Sequence, residues 1–198
     1  MALNKMEAEL HSLHLQIHPH FLCNLLESIR SLNELGNHFE ANAMIQELGD
    51  FFRYSISHKT PIVLLREEIA FTRAYCNILR HKYRNGIRFI WNCDPAALEA
   101  PVLRLLMQPL IENAVRHGLA PCGGKGIVRI SCLLQEKFLL LIVEDDGCGM
   151  DEKNIHQGIG LANVSRRIDL YYKGCGSIEI HSQLGKGTSV SLRLPVDI

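Results

Sequence analysis

The sequence carries no net charge: 21 acidic and 21 basic residues cancel over 198 positions. That balance gives no global reason to expect nucleic acid or an anionic membrane as a partner. There is no CxxC pair, and the cysteines, Cys23, Cys76, Cys93, Cys122, Cys132, Cys148 and Cys175, are odd in number. They read as small, mostly buried apolar residues in a reducing compartment, not as a disulfide framework or a zinc site. No apolar run approaches the roughly 20 residues of a membrane span; the best, FLLLIV at 138–143, has the length of a strand. The first residues are polar and helical in pattern, unlike a signal peptide. The absence of GxxxxGK[ST] from the chain argues against a P-loop enzyme. Neither proline nor glycine is abundant, and 47% of residues are apolar. The expectation is a soluble, cytosolic chain with room for one substantial domain, or a modest domain with a helical appendage.

Leu3, Met6, Leu10, Leu13 and Ile17 recur at helical spacings, the seam of a helix that packs on another helix. The stripe resumes at Phe21, Leu25, Ile29 and Leu32 after Pro19, where a kink is expected. NELGNH at 33–38 reads as a turn, and Ile45, Leu48 and Phe52 mark a second helix ending before SHKTP at 57–61. Such a hairpin has more apolar seam than it can bury alone, which pairing into a four-helix bundle would satisfy. From Pro61 onward the texture changes. Residues 66–84 read as a helix with acids first and bases last, 87–94 as a strand, and 101–118 as a helix ended by Gly118. GIVRISCLL and KFLLLIVED are strands joined by QEK, and a glycine-rich segment leads into a helix that runs to about Tyr172. SIEIHSQ and TSVSLRLP close the chain. The fold class is therefore α+β: a helical hairpin over residues 1–60, then an α/β sandwich over 61–198 with mostly antiparallel strands on one side and helices on the other.

Four motifs in the second part carry chemistry. LIENAVRHG at 110–118 places Glu112, Asn113, Arg116 and His117 along about one and a half helical turns. The Asn113 carboxamide oxygen suits Mg²⁺, and Arg116 lies a turn away, in reach of a phosphate. A solvated polar face would account for this motif taken alone. EDDGCGM at 144–150 follows an apolar strand. Its Asp146 carboxylate can accept from an exocyclic amine, and Gly147 and Gly149 let backbone approach a flat ligand. QGIGLAN at 157–163 opens a helix with Gly158 and Gly160, whose N–H groups suit phosphate. GKGT at 185–188 is a tight turn between the last strands.

In this order the motifs resemble the ATP-binding domain of the GHKL superfamily: histidine kinases, type II topoisomerase ATPase subunits, Hsp90 and MutL. The resemblance covers residues 66–198. It implies ATP and Mg²⁺ as cofactors, Asn113 as the Mg²⁺ ligand and Arg116 as a phosphate contact. It implies Asp146 as the acceptor for the adenine amine, with Gly147 and Gly149 lining the base. Gly158, Gly160 and Leu161 would form the phosphate-side end of the lid, and Thr188 would support the adenine pocket. His117 closes the site or caps its helix. Arg167 reaches phosphate, holds the lid, or is a solvated helix residue. The segment Met150–Gln157 is a short lid.

The stretch LQIHPHFLCN at 15–24 narrows the branch. It resembles the phosphoacceptor motif of LytS/YesM-type sensor histidine kinases, and GDFFRYSI at 49–56 and GIGLANVSRRI at 158–168 agree. The resemblance implies that His20 receives the γ-phosphoryl group of ATP, with a response regulator receiver domain as the next acceptor and a homodimer as the working unit. It also implies an upstream membrane sensor, while this stretch inserts in no membrane. By helical geometry His20 stands about 100° from Phe21, beside the seam, and a neutral imidazole is a competent nucleophile near pH 7. Glu112 is the candidate polarising base. Four residues before Asn113 stands Pro109, where GHKL ATPases carry a water-activating Glu. A hydrolytic ATPase or ATP-gated module is thus the disfavoured alternative; a degenerate nucleotide-binding scaffold is the other. His11, His14 and His18 lie at helical spacings, yet no acid or cysteine accompanies them as a metal ligand.

Overall fold

The structure, a computed structural model, describes residues 19–57, 60–151 and 159–197. Helices α1 (Pro19–Glu34) and α2 (His38–Ser57) form the expected hairpin. Their turn is closed by Asn37 N–H donating to the Leu32 carbonyl and by a bond between the Asn33 and His38 side chains. Pro19 is the first described residue, so the kink expected there lies outside the described residues, as do His11, His14, His18 and the seam from Leu3 to Ile17.

A two-stranded ribbon and a five-stranded sheet come next. Strand β1 (Ile62–Leu64) leads directly into α3 (Leu65–Lys82). Glu67 caps that helix by accepting from the Leu64 N–H, and Glu67 and Glu68 at its start against Arg80, His81 and Lys82 at its end suit the helix dipole. Arg84 and Asn85, both at positive φ, turn the chain into β2 (Ile87–Cys93). The helix expected over 101–118 is not continuous. Pro101–Leu103 is strand β3, paired antiparallel with β1, and helix α4 spans only Met107–Asn113. A wider π-helical turn covers Ala114–Leu119. Strands β4 (Gly126–Gln135) and β5 (Phe138–Asp145), helix α5 (Ile159–Tyr172), and strands β6 (Ser177–Gln183) and β7 (Gly187–Pro195) complete the chain.

The large sheet has the order β2-β4-β5-β7-β6, with β2 and β4 parallel and the other pairs antiparallel. The pleat decides which residues meet the helices. Along β5, Leu139, Leu141, Val143 and Asp145 are buried while the residues between them are not. Leu139, Leu141 and Val143 meet Leu110, Ile111, Val164 and Ile168 of the helices in one core with Val128, Ile130, Leu192 and Leu194. A smaller cluster, Leu25, Met44 and Ile78, joins the hairpin to the outer side of α3. The cysteines divide: Cys76 and Cys132 are buried as expected, Cys93 and Cys148 half-buried, and Cys122 and Cys175 exposed. No helix among the described residues is long and apolar enough to cross a membrane.

Candidate active site

The buried carboxylate at the end of β5 is Asp145, one residue before the expected Asp146. Alternation along β5 turns Asp145 toward the helices, where it is 7% exposed. Asp146 faces out and closes the end of the sheet, its Oδ1 accepting from the Ile127 N–H at 2.7 Å. The missed signal was the pleat, which turns adjacent aspartates to opposite faces of the sheet. Burial pushes the Asp145 carboxyl up to about 6, while N–H groups of Gly147 and Thr188 pull it down and Asp146 adds to the rise. Thr188 lies opposite Asp145 in the β5–β7 register and is itself buried. The Thr188 hydroxyl meets the Ser182 hydroxyl at 2.9 Å, and Ser182 accepts from the Met150 N–H.

The loop after Asp145 is clamped on both sides. Cys148 donates its N–H to the Gly118 carbonyl at 3.0 Å and its thiol to the His117 carbonyl at 3.2 Å. The wide π-turn leaves these carbonyls free for the loop. On the far side the Gly185 N–H donates to the Cys148 carbonyl at 2.7 Å. Glycine is required at the contact itself: a Cβ on Gly147 would strike the Gly118 backbone, and one on Gly118 would strike the Asp145 carboxylate. Gly149 adopts φ 61, with the Gln183 carbonyl where a side chain would stand. A cleft of about 1000 Å³ opens at this end of the sheet, lined by both Asp145 and Asp146 with Glu144, Ser182, Lys186 and Thr188; Asn113 and Arg116 do not line it.

Asn113 ends α4, half-buried, with Glu112 before it. Glu112 stands close enough to the buried Tyr75 to raise its phenol further, after the larger effect of burial. Arg116 and His117 are exposed on the π-turn, and Arg116 acts against the rise of the Tyr75 and Tyr83 phenols. Gly160 is exposed and Leu161 buried in the first described turn of α5; Gly158 and the lid segment from 152 lie outside the described residues. His20 is helical, in the first described turn of α1. Arg167 corrects its expectation. It is buried, and donates through Nη1 to the Leu105 carbonyl at 2.8 Å and through Nη2 to the Arg104 carbonyl, so it is neither solvated nor turned to a phosphate. Burial lowers its guanidinium below the usual arginine range, and the nearby charge of Glu68 acts against that lowering.

The fold and the glycine-clamped carboxylate define a nucleotide-binding α/β sandwich. Residues 99–198 match the family "Histidine kinase-, DNA gyrase B-, and HSP90-like ATPase", and residues 8–87 match the family "Histidine kinase". The chain belongs to this family of ATP-binding domains, in its histidine kinase branch. It is 34% identical over 193 residues to the sensor histidine kinase YesM of Bacillus subtilis, covering 96% of this chain and 33% of that one. To the sensor histidine kinase YpdA of Escherichia coli it is 34% identical over 200 residues, covering 96% and 34%. The sensor protein LytS of Oceanobacillus iheyensis is 28% identical over 204 residues, with 96% and 34% covered. The chain thus spans about a third of the length of these curated relatives. Among solved structures it resembles the Acinetobacter baumannii histidine kinase AdeS, with TM-score 0.56, 16% identity, and 93% of this chain and 98% of that one covered. The catalytic domain of histidine kinase ThkA matches with TM-score 0.57 and 17% identity over 68% of this chain and 96% of that one. Both likenesses concern the fold.

Proposed function

We propose that this chain is the catalytic core of a sensor histidine kinase: the domain over 61–198 binds Mg-ATP, and His20 of the hairpin over 1–60 takes its γ-phosphoryl group. An imidazole nitrogen of His20 forms the N–P bond as the bond to the β,γ-bridging oxygen breaks and ADP leaves. A receiver-domain aspartate of a response regulator then accepts the group. The observation that carries this reading is Asp145, a carboxylate buried at a strand end, beside Thr188 and walled by glycine backbone; such a group suits a hydrogen bond from a planar exocyclic amine. Gly147 and Gly149 line the base, and Gly158, Gly160 and Leu161 border the phosphates.

The donor set fits magnesium through Asn113 and the phosphate oxygens. Mg²⁺ is typically held by one or two protein oxygens with phosphates and water, and among the described residues no cluster of three His, Cys, Asp or Glu side chains offers a metal cage. When bound, the ion neutralises charge developing on the transferred group. Glu112 polarises the acceptor imidazole, Arg116 contacts phosphate, and His117 borders that end of the site. Leu26 and Ile45, each 52% exposed on the hairpin, supply the apolar surface that a second copy covers in the homodimer. An upstream sensor in the full-length protein would anchor it at the inner face of the membrane.

The deciding experiment is labelling from γ-labelled Mg-ATP. Acid-labile, alkali-stable label is expected in the wild type and absent from His20→Gln and Asn113→Asp, with nucleotide binding kept in His20→Gln. Label persisting in His20→Gln would remove His20 as the acceptor.

A further inference from the structure

The catalytic assignment leaves one buried polar cluster unused. Glu68 of α3 is fully buried, and its carboxylate oxygens are committed to the junction into α4, one to the chain before it and one to its first residue. Oε2 accepts from the Leu105 N–H at 2.9 Å and Oε1 from the Met107 N–H at 3.1 Å. Arg167 of α5 grips the same junction from its carbonyls, those of Arg104 and Leu105. Between them Leu105 adopts φ 58, a left-handed conformation that a branched, non-glycine residue avoids. Tyr172, a turn further along α5, accepts from the Leu103 N–H at 3.1 Å. The peptide groups on both sides of the strained residue are thus held by side chains from other helices.

The junction leads straight into α4. Its seven α-helical residues run on without a break into the π-turn over Ala114–Leu119, and its first turn receives no cap from its own N-terminal flank, Leu106. A helical segment of this length has little stability of its own, so its direction is set by the groups that hold its start. Asn113 is its last residue. Arg167 sits on the helix whose first described turn holds Gly160, so one contact joins the two motifs expected to meet the phosphates.

We propose, resting on the Mg-ATP reading above, that Glu68 and Arg167 are positioning residues: they hold Leu105 left-handed and so aim α4, placing Asn113 against the metal and phosphates. The adenine end, built on Asp145 and Thr188 in the sheet, does not depend on them.

The test is calorimetric titration of the full chain with ATP, once with Mg²⁺ and once with EDTA, for Glu68→Gln, Arg167→Lys, Leu105→Gly and the double variant Glu68→Gln/Leu105→Gly. Glu68→Gln and Arg167→Lys are expected to keep the affinity measured in EDTA. Their gain on adding magnesium should fall by roughly tenfold or more, the usual size for losing a group that orients a metal ligand. Leu105→Gly alone keeps the gain, and in the double variant it restores part of it, since glycine holds a positive φ unaided. A general loss of structure would lower both affinities together, and that result overturns the proposal. So does an unchanged magnesium gain in folded Arg167→Lys, which keeps the charge but loses the two-pronged grip and decides the matter if Glu68→Gln does not fold. A wild type that binds no ATP would instead overturn the nucleotide reading itself.

Discussion

Asp145 shows what a buried carboxylate costs a protein and what it supplies. Its ordinary value in an unfolded chain is about 3.9; in the folded chain burial lifts it to about 6. Between those two values the native state holds a proton that the unfolded state has released. Stability without nucleotide therefore falls as pH rises from about 4 to about 6, and the loss persists above that. The neutral amide in Asp145→Asn carries no such penalty, and its oxygen still accepts from the Gly147 N–H. The variant should melt above the wild type at pH 7.5 by roughly 2–4 °C, the effect of ~1 kcal/mol in a chain of this size once solvent screening is discounted. The difference should shrink toward pH 4.5. ATP binding should nevertheless be lost, since an amide that turns its NH₂ toward the amine cannot accept. In the wild type, ATP affinity should weaken below about pH 6 as the acceptor is protonated. Equal melting temperatures at pH 7.5 would count against the burial account. Composition alone could not choose between two adjacent aspartates. The period-2 burial of FLLLIVED does, because a one-residue slip moves a side chain to the other face of the sheet.

At the scale of elements, sequence periodicity located what is long and periodic. The hairpin, α3, β2, β4, β5, α5, β6 and β7 lie within a few residues of where their patterns put them. It failed over PVLRLLMQ. Three-residue strands offer no alternation to read, and the partner of Pro101–Leu103 lies far upstream in Ile62–Leu64. The break between strand and helix is fixed by Glu68, 37 residues away in sequence from Leu105, and no local pattern reports that bond. Gly160 separates local preference from function within a single element. It is exposed in the first described turn of α5, and a Cβ there would meet nothing within 4 Å. If it served only the helix, Gly160→Ala would be harmless or stabilising by about 0.5–1 kcal/mol. If its backbone approaches phosphate, the same variant should gain that stability yet bind ATP roughly tenfold more weakly, the size of one lost charge-assisted hydrogen bond. Paired melting and titration curves separate the two; an unchanged ATP affinity would remove Gly160 from the phosphate site.

On the scale of the whole molecule, two cores of very different size are joined on α3. The large one fills the space between sheet and helices, whereas the small one consists of Leu25, Met44 and Ile78 with Ile29, Leu32 and Leu48 packed around it. Ile78 belongs to the helix that also carries Glu68, so α3 is shared: one side faces the ATP-binding core and the other receives the hairpin. A contact of this size is expected to hold the units together without making them one cooperative body. Met44→Asp puts an unpaired charge into the small core, at a cost of several kcal/mol, and leaves the large one untouched. Its melt should resolve a lowered hairpin transition from an ATP-domain transition. Mg-ATP should raise only the second, because a ligand stabilises only the unit that contains its site. ATP affinity in Met44→Asp should match the wild type, while labelling of His20, which needs the hairpin folded, should fall. A single transition that moves as a whole with ATP would mean that hairpin and sandwich fold as one body, and the boundary near residue 60 would then have no thermodynamic meaning. With separate transitions, the proposed acceptor His20 rides on a detachable arm, held by the outer face of α3 while the inner face of that helix packs in the ATP-binding core.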